Sequence, residues 1–452
     1  MPMSNEAPPR VRRVAPRYSL SQLRTEEPPL VTTPTADQGE TIFLDKPLPV
    51  LGQGVVSLEL KTSDPFRIIL TPTRNSTEGD VIVLEVTAER AAFRNADNDE
   101  EQSILAQTRD QDRGLNADRL NSYWLSLDSQ NRRLRYGKGH AQARLTLLEW
   151  NYPGESDGED PAKLLYAWTE KLQFVAVSHA GRGSFEPVVE LHPMPVVADI
   201  PALVVPSQDI TMDQLARGEV TVIENLSDGC NILYANIAGA NILLDTPDFP
   251  DFSEAINHSI RTEGCVCYEL LKMKEGEFGA RDPQGTYLRI TLGKNLGDSP
   301  GIPFVLEIWP GQHHSPIHDH AGSDAVIKVL HGQIRSRWFA ELSPLYLSYY
   351  EEFDLVAGQV TWLSPDYYQT HQLLNPAPEG SMCATLQCYR YPDTDREHYE
   401  YFDYLTQCNE TKQFYPNSDM DFLEFKEKIK KEWDQAMTPR AGAANPGARE
   451  PC

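Results

Sequence analysis

Residues 309–332 read WPGQHHSPIHDHAGSDAVIKVLHG, and at the centre stands His318-Asp319-His320. Alternate residues of an extended chain share a face, so imidazoles at i and i+2 can reach one metal ion while Asp319 turns away. Apolar runs flank the segment: Phe304-Val305-Leu306-Glu307-Ile308-Trp309 before it and Ala325-Val326-Ile327-Lys328-Val329-Leu330 after it. Both read as strands, so a strand is the expected setting of the two histidines. Gly311 and Gly332 fall where turns are needed. A third ligand is at hand downstream. Gly358-Gln359-Val360-Thr361-Trp362-Leu363-Ser364-Pro365 leads to His371, with Asn375 four residues on. Three imidazoles from two half-sites would hold a metal and leave positions open. Neutral imidazole suits iron, copper, nickel and zinc, and spacing alone does not choose among them. An isolated H-x-H would fit ordinary core or surface histidines equally well; the two glycine frames and the downstream histidine favour the metal site.

The first segment resembles the first cupin motif, G-x₅₋₆-H-x-H-x₃₋₄-E-x₆-G, and residues 358–375 resemble the second. Ala325 occupies the place of the usual glutamate ligand. The version S-P-I-H-D-H, followed by K-x-L-x-G, is similar to that of cysteine dioxygenase and its thiol dioxygenase relatives. That resemblance covers about residues 247–403. It implies a non-haem Fe(II) centre on His318, His320 and His371 that takes a small thiol and O2 to a sulfinate. Cysteine is the first substrate it suggests, and 3-mercaptopropionate or another mercapto-acid the second. With no carboxylate at Ala325, the anionic ligand would come from the substrate, since metals deprotonate coordinating thiols. The family's Y-x-R carboxylate clamp matches Tyr287-Leu288-Arg289, with Lys294 as the rival if the strand is shifted. Its Ser–His–Tyr relay matches Thr385, Gln387 and Tyr389. Gln387 departs from the pattern, because an amide can hydrogen-bond but cannot titrate. Ala325 also stands where animal enzymes carry a cysteine crosslinked to the tyrosine, so no such thioether can form. The alternatives are a cupin using another metal in a different reaction, or a non-catalytic cupin scaffold.

Acidic residues outnumber basic ones 66 to 41 in 452 residues, a net charge of −25. That argues against a nucleic-acid partner. No apolar run is long enough to span a membrane, and no secretory core is visible. Seven cysteines, an odd number without framework spacing, suggest reduced thiols and a cytoplasmic protein.

The expected architecture is mainly β: an N-terminal β-sandwich, then a C-terminal cupin jelly-roll barrel with a few helices. Residues 1–39, rich in arginine and proline, read as a disordered arm, and 40–192 as the sandwich. Residues 193–230 read as a linker or connecting segment, 231–437 as the cupin domain and 438–452 as a disordered tail. Within them, 220–225 and 231–235 read as strands, Ser253 as a helix cap, and Ser418 as the cap of a last helix bearing Phe422, Phe425, Ile429 and Trp433. Tyr123-Trp124-Leu125-Ser126-Leu127, the turn Arg135-Tyr136-Gly137-Lys138-Gly139 and Trp150 resemble the domain named after farnesoic acid O-methyltransferase. No Gly-rich methyl-donor signature accompanies them. A non-catalytic module with a small ligand or protein partner is the expectation, its aromatics serving the core.

Overall fold

The computed structural model describes residues 17–19, 41–110, 113–117, 120–152, 166–181, 185, 187–293, 304–344, 347–365, 367–391 and 402–438. The chain divides into two compact units, 1–199 and 200–452.

The first unit is built from two six-stranded sheets. In one, Gln53–Leu60 lies between Val188–His192 and Asn121–Asp128; in the other, Phe66–Thr71 lies between Phe174–His179 and Ile82–Val86. Val56, Leu58 and Leu60 from the first sheet share one core with Ile68, Leu70 and Leu84 from the second. Period-2 burial from both sheets into one core defines a sandwich. Tyr123 and Trp124 are both buried. Trp124 stands opposite Gly137, where an added Cβ would lie 2.1 Å from the indole. These aromatics are therefore packing residues. Within the expected N-terminal arm, Arg17–Ser19 is a short strand on Val188–His192. The rest of that arm, and the tail from 439, lie outside the described residues.

The second unit is a jelly-roll barrel of the cupin kind. Its larger sheet orders Thr221–Val222, Leu203–Val205, Val360–Leu363, Asp324–His331, Met382–Arg390, Phe304–Pro310, Leu288–Leu292 and Met420–Asp421. The facing layer contains Glu351–Val356, Gln333–Trp338 and His371–Leu374, and the hairpin Phe402–Leu405 with Thr411–Phe414. Along the larger sheet, one parity points away from the barrel interior. Leu288, Ile290, Leu306, Ile308, Met382 and Ala384 pack with Phe252, Ile256, Phe425 and Ile429. These last four lie on the helices Phe252–Arg261 and Phe422–Met437. The other parity, Arg289, Glu307, Thr385, Gln387 and Tyr389, faces the barrel interior. Gly332 makes the turn between Asp324–His331 and Gln333–Trp338 at φ 72°, and a Cβ there would meet the Met382 carbonyl at 2.6 Å.

Several local expectations change. Residues 231–235 belong to the helix Asp228–Ile237, not a strand. The Ser227 side chain caps it by accepting from Cys230 N, and Cys230, Leu233 and Ile237 are buried at helical spacing. Of 220–225, only Thr221–Val222 is a strand, followed by the 3-10 turn Ile223–Asn225. Asp421, not Ser418, caps the last helix, accepting from Leu423 N and Glu424 N. Ser253 lies inside its helix and bonds to Asp245 at 2.7 and 2.8 Å. Among the described residues, no helix is long and apolar enough to cross a membrane.

Leu203–Val205 is an integral strand of the barrel sheet, pairing with Val360–Leu363. The Pro201 carbonyl accepts from Trp362 Nε1 at 3.1 Å and Thr221 Oγ1 at 2.6 Å. A chain beginning at Ile200 is expected to fold. One beginning at Pro206 loses Ala202 and Val204 from the core, about 2–3 kcal/mol. Its melting temperature should fall by about 5–10 °C relative to the longer chain. Equal melting temperatures would show this strand to be dispensable.

Candidate metal centre

His318 and His320 lie in the connection between Phe304–Pro310 and Asp324–His331. The expected regular strand is absent there. Pro316 has no N–H to give a ladder. Ala321 and Gly322 turn back at φ 50° and 76°. His314 is bridged to Leu374, and at His318 the N–H donates to His371 O at 3.0 Å while the carbonyl accepts from His371 N at 2.9 Å. A second bridge joins it to Tyr404. The extended conformation at this point still sends both imidazoles one way. Asp319 turns aside as expected, accepting from Ala321 N at 3.1 Å. His371 opens the strand His371–Leu374 opposite Trp338. Buried Asn375 fixes the base of both half-sites, donating to Trp309 O at 2.9 Å while its backbone N–H donates to His313 O at 2.9 Å.

The ligating nitrogens of His318, His320 and His371 lie within 4.8 Å of one another. His320 Nε2 and His371 Nε2 face each other at 2.9 Å. The Pro316 carbonyl lies 3.0 Å from His318 Nδ1, which selects the tautomer that leaves Nε2 as the lone-pair donor. Buried His320 Nδ1 has no protein partner. Burial lowers the pKa of His318 to about 4 and those of His320 and His371 well below the ordinary imidazole value. His318 keeps some solvent contact, which softens the effect there; His320 and His371 are almost wholly enclosed. The three side chains are thus neutral with convergent lone pairs, the state a metal requires. Among the described residues, no carboxylate joins this cluster. The donor set fits a first-row divalent metal.

Ala325 is buried directly opposite Tyr389 on the neighbouring strand. The Tyr389 ring stacks on His320 at 5.5 Å with an 18° interplanar angle. From Tyr389 a continuous polar chain runs along the sheet. The phenol donates to Gln387 Oε1, Gln387 Nε2 donates to Glu307 Oε2, and Arg289 donates to Glu307 Oε1. Thr385 sits beside it, accepting from Trp309 Nε1 at 3.2 Å. Register explains the assembly, since Arg289, Glu307 and Thr385 are direct cross-strand neighbours. Burial pushes the Glu307 carboxyl up to about 7, with Arg289 pulling the other way. Burial also works against the Arg289 charge, yet Glu307 holds it firmly protonated. Tyr389 is raised by burial and stays a neutral phenol.

These groups line a small, partly open cavity that Phe278, Phe402, Tyr404 and Phe414 also line. A wider depression near Asp282, His313 and Glu379 contains none of the three histidines. All seven residues singled out from the sequence, except Thr385, line the cavity or adjoin it through the ligand cluster. Lys294 lies outside the described residues. Glu307 went unremarked. Its signal was a lone acid within an apolar strand, at the same parity as Trp309.

No protein-family model matches the chain. Similar solved structures include a protein with a double-stranded β-helix domain from Klebsiella pneumoniae, at 15% identity over 27% of this chain and 84% of that one, with a TM-score of 0.20. A cupin domain of an XRE-family transcriptional regulator from Enterobacter cloacae matches at 13% identity over 24% and 97%, with a TM-score of 0.19. A cupin superfamily protein from Desulfitobacterium hafniense matches at 14% identity over 24% and 81%, with a TM-score of 0.18. At such scores the fold assignment stands on strand order and register alone.

His320→Ala is expected to lose most bound metal, read by elemental analysis after loading with one equivalent of Fe(II) or Zn(II). Full occupancy would remove His320 from the ligand set. Because burial already keeps the imidazoles neutral, protons should compete late. As pH falls, metal should be retained past the ordinary imidazole value of about 6.5 and released only well below it. Half-release near 6.5 would contradict the buried, neutral triad.

Proposed function

We propose that the C-terminal unit is a non-haem Fe(II) thiol dioxygenase, converting a small thiol and O2 to the corresponding sulfinate. The observation that carries this reading is the convergence of three uncharged imidazoles, with no carboxylate joining them among the described residues, on a small cavity that Tyr389 and Arg289 also line. A neutral ligand set leaves the anionic position to the substrate, and a thiol that coordinates a metal loses its proton to become such a ligand. Iron, when bound, would supply that acidification and the redox chemistry that O2 requires. The reaction RSH + O2 → RSO2H places both oxygen atoms on sulfur and needs no further reductant.

The protein's own share is positioning. Pro316 fixes the His318 ring, and Asn375 ties the two ligand-bearing segments together. Phe278, Phe402, Tyr404 and Phe414 give one side of the cavity an apolar lining, which strengthens the polar contacts beside it. Tyr389 is oriented by its bond to Gln387 and by the Arg289 guanidinium beside it, and its phenolic oxygen has room for one further donor such as a substrate N–H. Gln387 cannot take a proton, and the titratable end of this chain is Glu307. The N-terminal sandwich is read as a binding or scaffolding module with a small ligand or protein partner.

Iron-loaded protein supplied with cysteine, cysteamine or 3-mercaptopropanol should consume one O2 per thiol oxidised with at least one of them. Mass spectrometry should find a product heavier by two oxygen atoms. His320→Ala should abolish this turnover. Disulfide as the sole product, or no O2 uptake by a metal-replete protein, would contradict the assignment.

A further inference from the structure

The cavity's buried cation already has a protein counterion. Arg289 is 4% exposed and Glu307 is 2% exposed. Each Glu307 carboxylate oxygen takes a donor, one from Arg289 and the other from Gln387. Glu307 cannot swing away easily. Its strand is hydrogen-bonded on both sides, and Arg289 and Thr385 stand directly opposite it on the two neighbours. A substrate carboxylate entering here would either compete with Glu307 for the guanidinium or leave two buried anions sharing one cation. Burial of an uncompensated charge is heavily penalised. One donor nonetheless remains: Arg289 Nε is buried without a partner. It can satisfy an uncharged acceptor such as a hydroxyl, an amide or another carbonyl oxygen.

We propose that Glu307 sets substrate class, so that the site accepts thiols without a carboxylate, bearing an uncharged hydrogen-bond acceptor at the far end, and rejects thiol carboxylates. The inference rests on the thiol reading above and narrows it. Glu307 acts through Arg289 as a specificity-determining residue, neutralising the cation that would otherwise recruit a carboxylate. The same residue orients Tyr389 through Gln387, which couples substrate choice to the group stacked on His320.

The test uses two matched pairs of thiols that differ at the carboxylate: cysteinamide against cysteine, and 3-mercaptopropanol against 3-mercaptopropionate. Binding is read at pH 8 on the full chain loaded with Co(II), from the thiolate-to-cobalt absorption, independently of turnover. Sulfinate formation by the iron-loaded chain is read in parallel. The wild-type protein should bind the uncharged member of each pair about 10²-fold more tightly. Glu307→Gln should free Arg289 and tighten carboxylate binding by about tenfold or more relative to the uncharged member of each pair. Equal or tighter binding of the carboxylates by the wild-type chain would overturn the proposal while leaving the thiol reading intact. So would an unchanged preference in Glu307→Gln. If none of the four thiols bound to cobalt-replete protein, the thiol reading itself would fall, and this inference with it. The wild-type comparison decides the matter alone if the variant does not fold.

Discussion

One pair of backbone hydrogen bonds joins the two ligand-bearing segments at the metal end of the site. His318 N to His371 O, at 3.0 Å, and His371 N to His318 O, at 2.9 Å, fasten an irregular connection onto a regular strand. The connection cannot run as a regular strand, since it has a proline before His318 and a left-handed turn after His320. Together with the bridge from His314 to Leu374 and the bond from Ser315 N to Leu373 O at 2.9 Å, this rung places two imidazoles beside the third. The bridge from His318 to Tyr404 then brings the hairpin Phe402–Leu405 and Thr411–Phe414 over the same cavity. Around it, Asp319 N donates to Asp403 O at 3.0 Å and Leu405 N to Ile317 O at 2.9 Å, so the ligand segment and the hairpin over the cavity are held by the same set of backbone bonds.

The second constraint is electrostatic. Three histidines enclosed together must stay neutral, and burial lowers all of their pKa values. The inner wall meets the same cost differently, by pairing Arg289 with Glu307 and spreading polar contacts through Gln387 to Tyr389. Without a bound metal the described wall is therefore close to charge-neutral.

The three histidines were legible because the evidence for them is local: an H-x-H pair, glycines at the turns, and a second glycine–proline–histidine run. Arg289, Thr385, Gln387 and Tyr389 were found by resemblance, and one strand parity unites them on the barrel's inner side. Glu307 was not legible. A lone acid in a strand means little until register sets it between Arg289 and Thr385. Asn231-Ile232-Leu233-Tyr234-Ala235 was misread because its β-prone residues outweighed a distant cap. Ser227 and the buried face Cys230, Leu233 and Ile237 decide for helix there. Asp421 displaced Ser418 as a cap because Met420–Asp421 first adds a short parallel strand beside Leu288–Leu292, which fixes where the helix begins.

The central claim is that three imidazoles and no carboxylate hold a metal whose remaining coordination a thiol completes. X-ray absorption at the metal edge, recorded on Fe(II)-loaded protein without and with a thiol, reads that coordination directly. The account predicts imidazole scattering from three histidines in both samples and a sulfur scatterer that appears only with thiol. Fewer imidazoles, or a coordination sphere that thiol leaves unchanged, would contradict it.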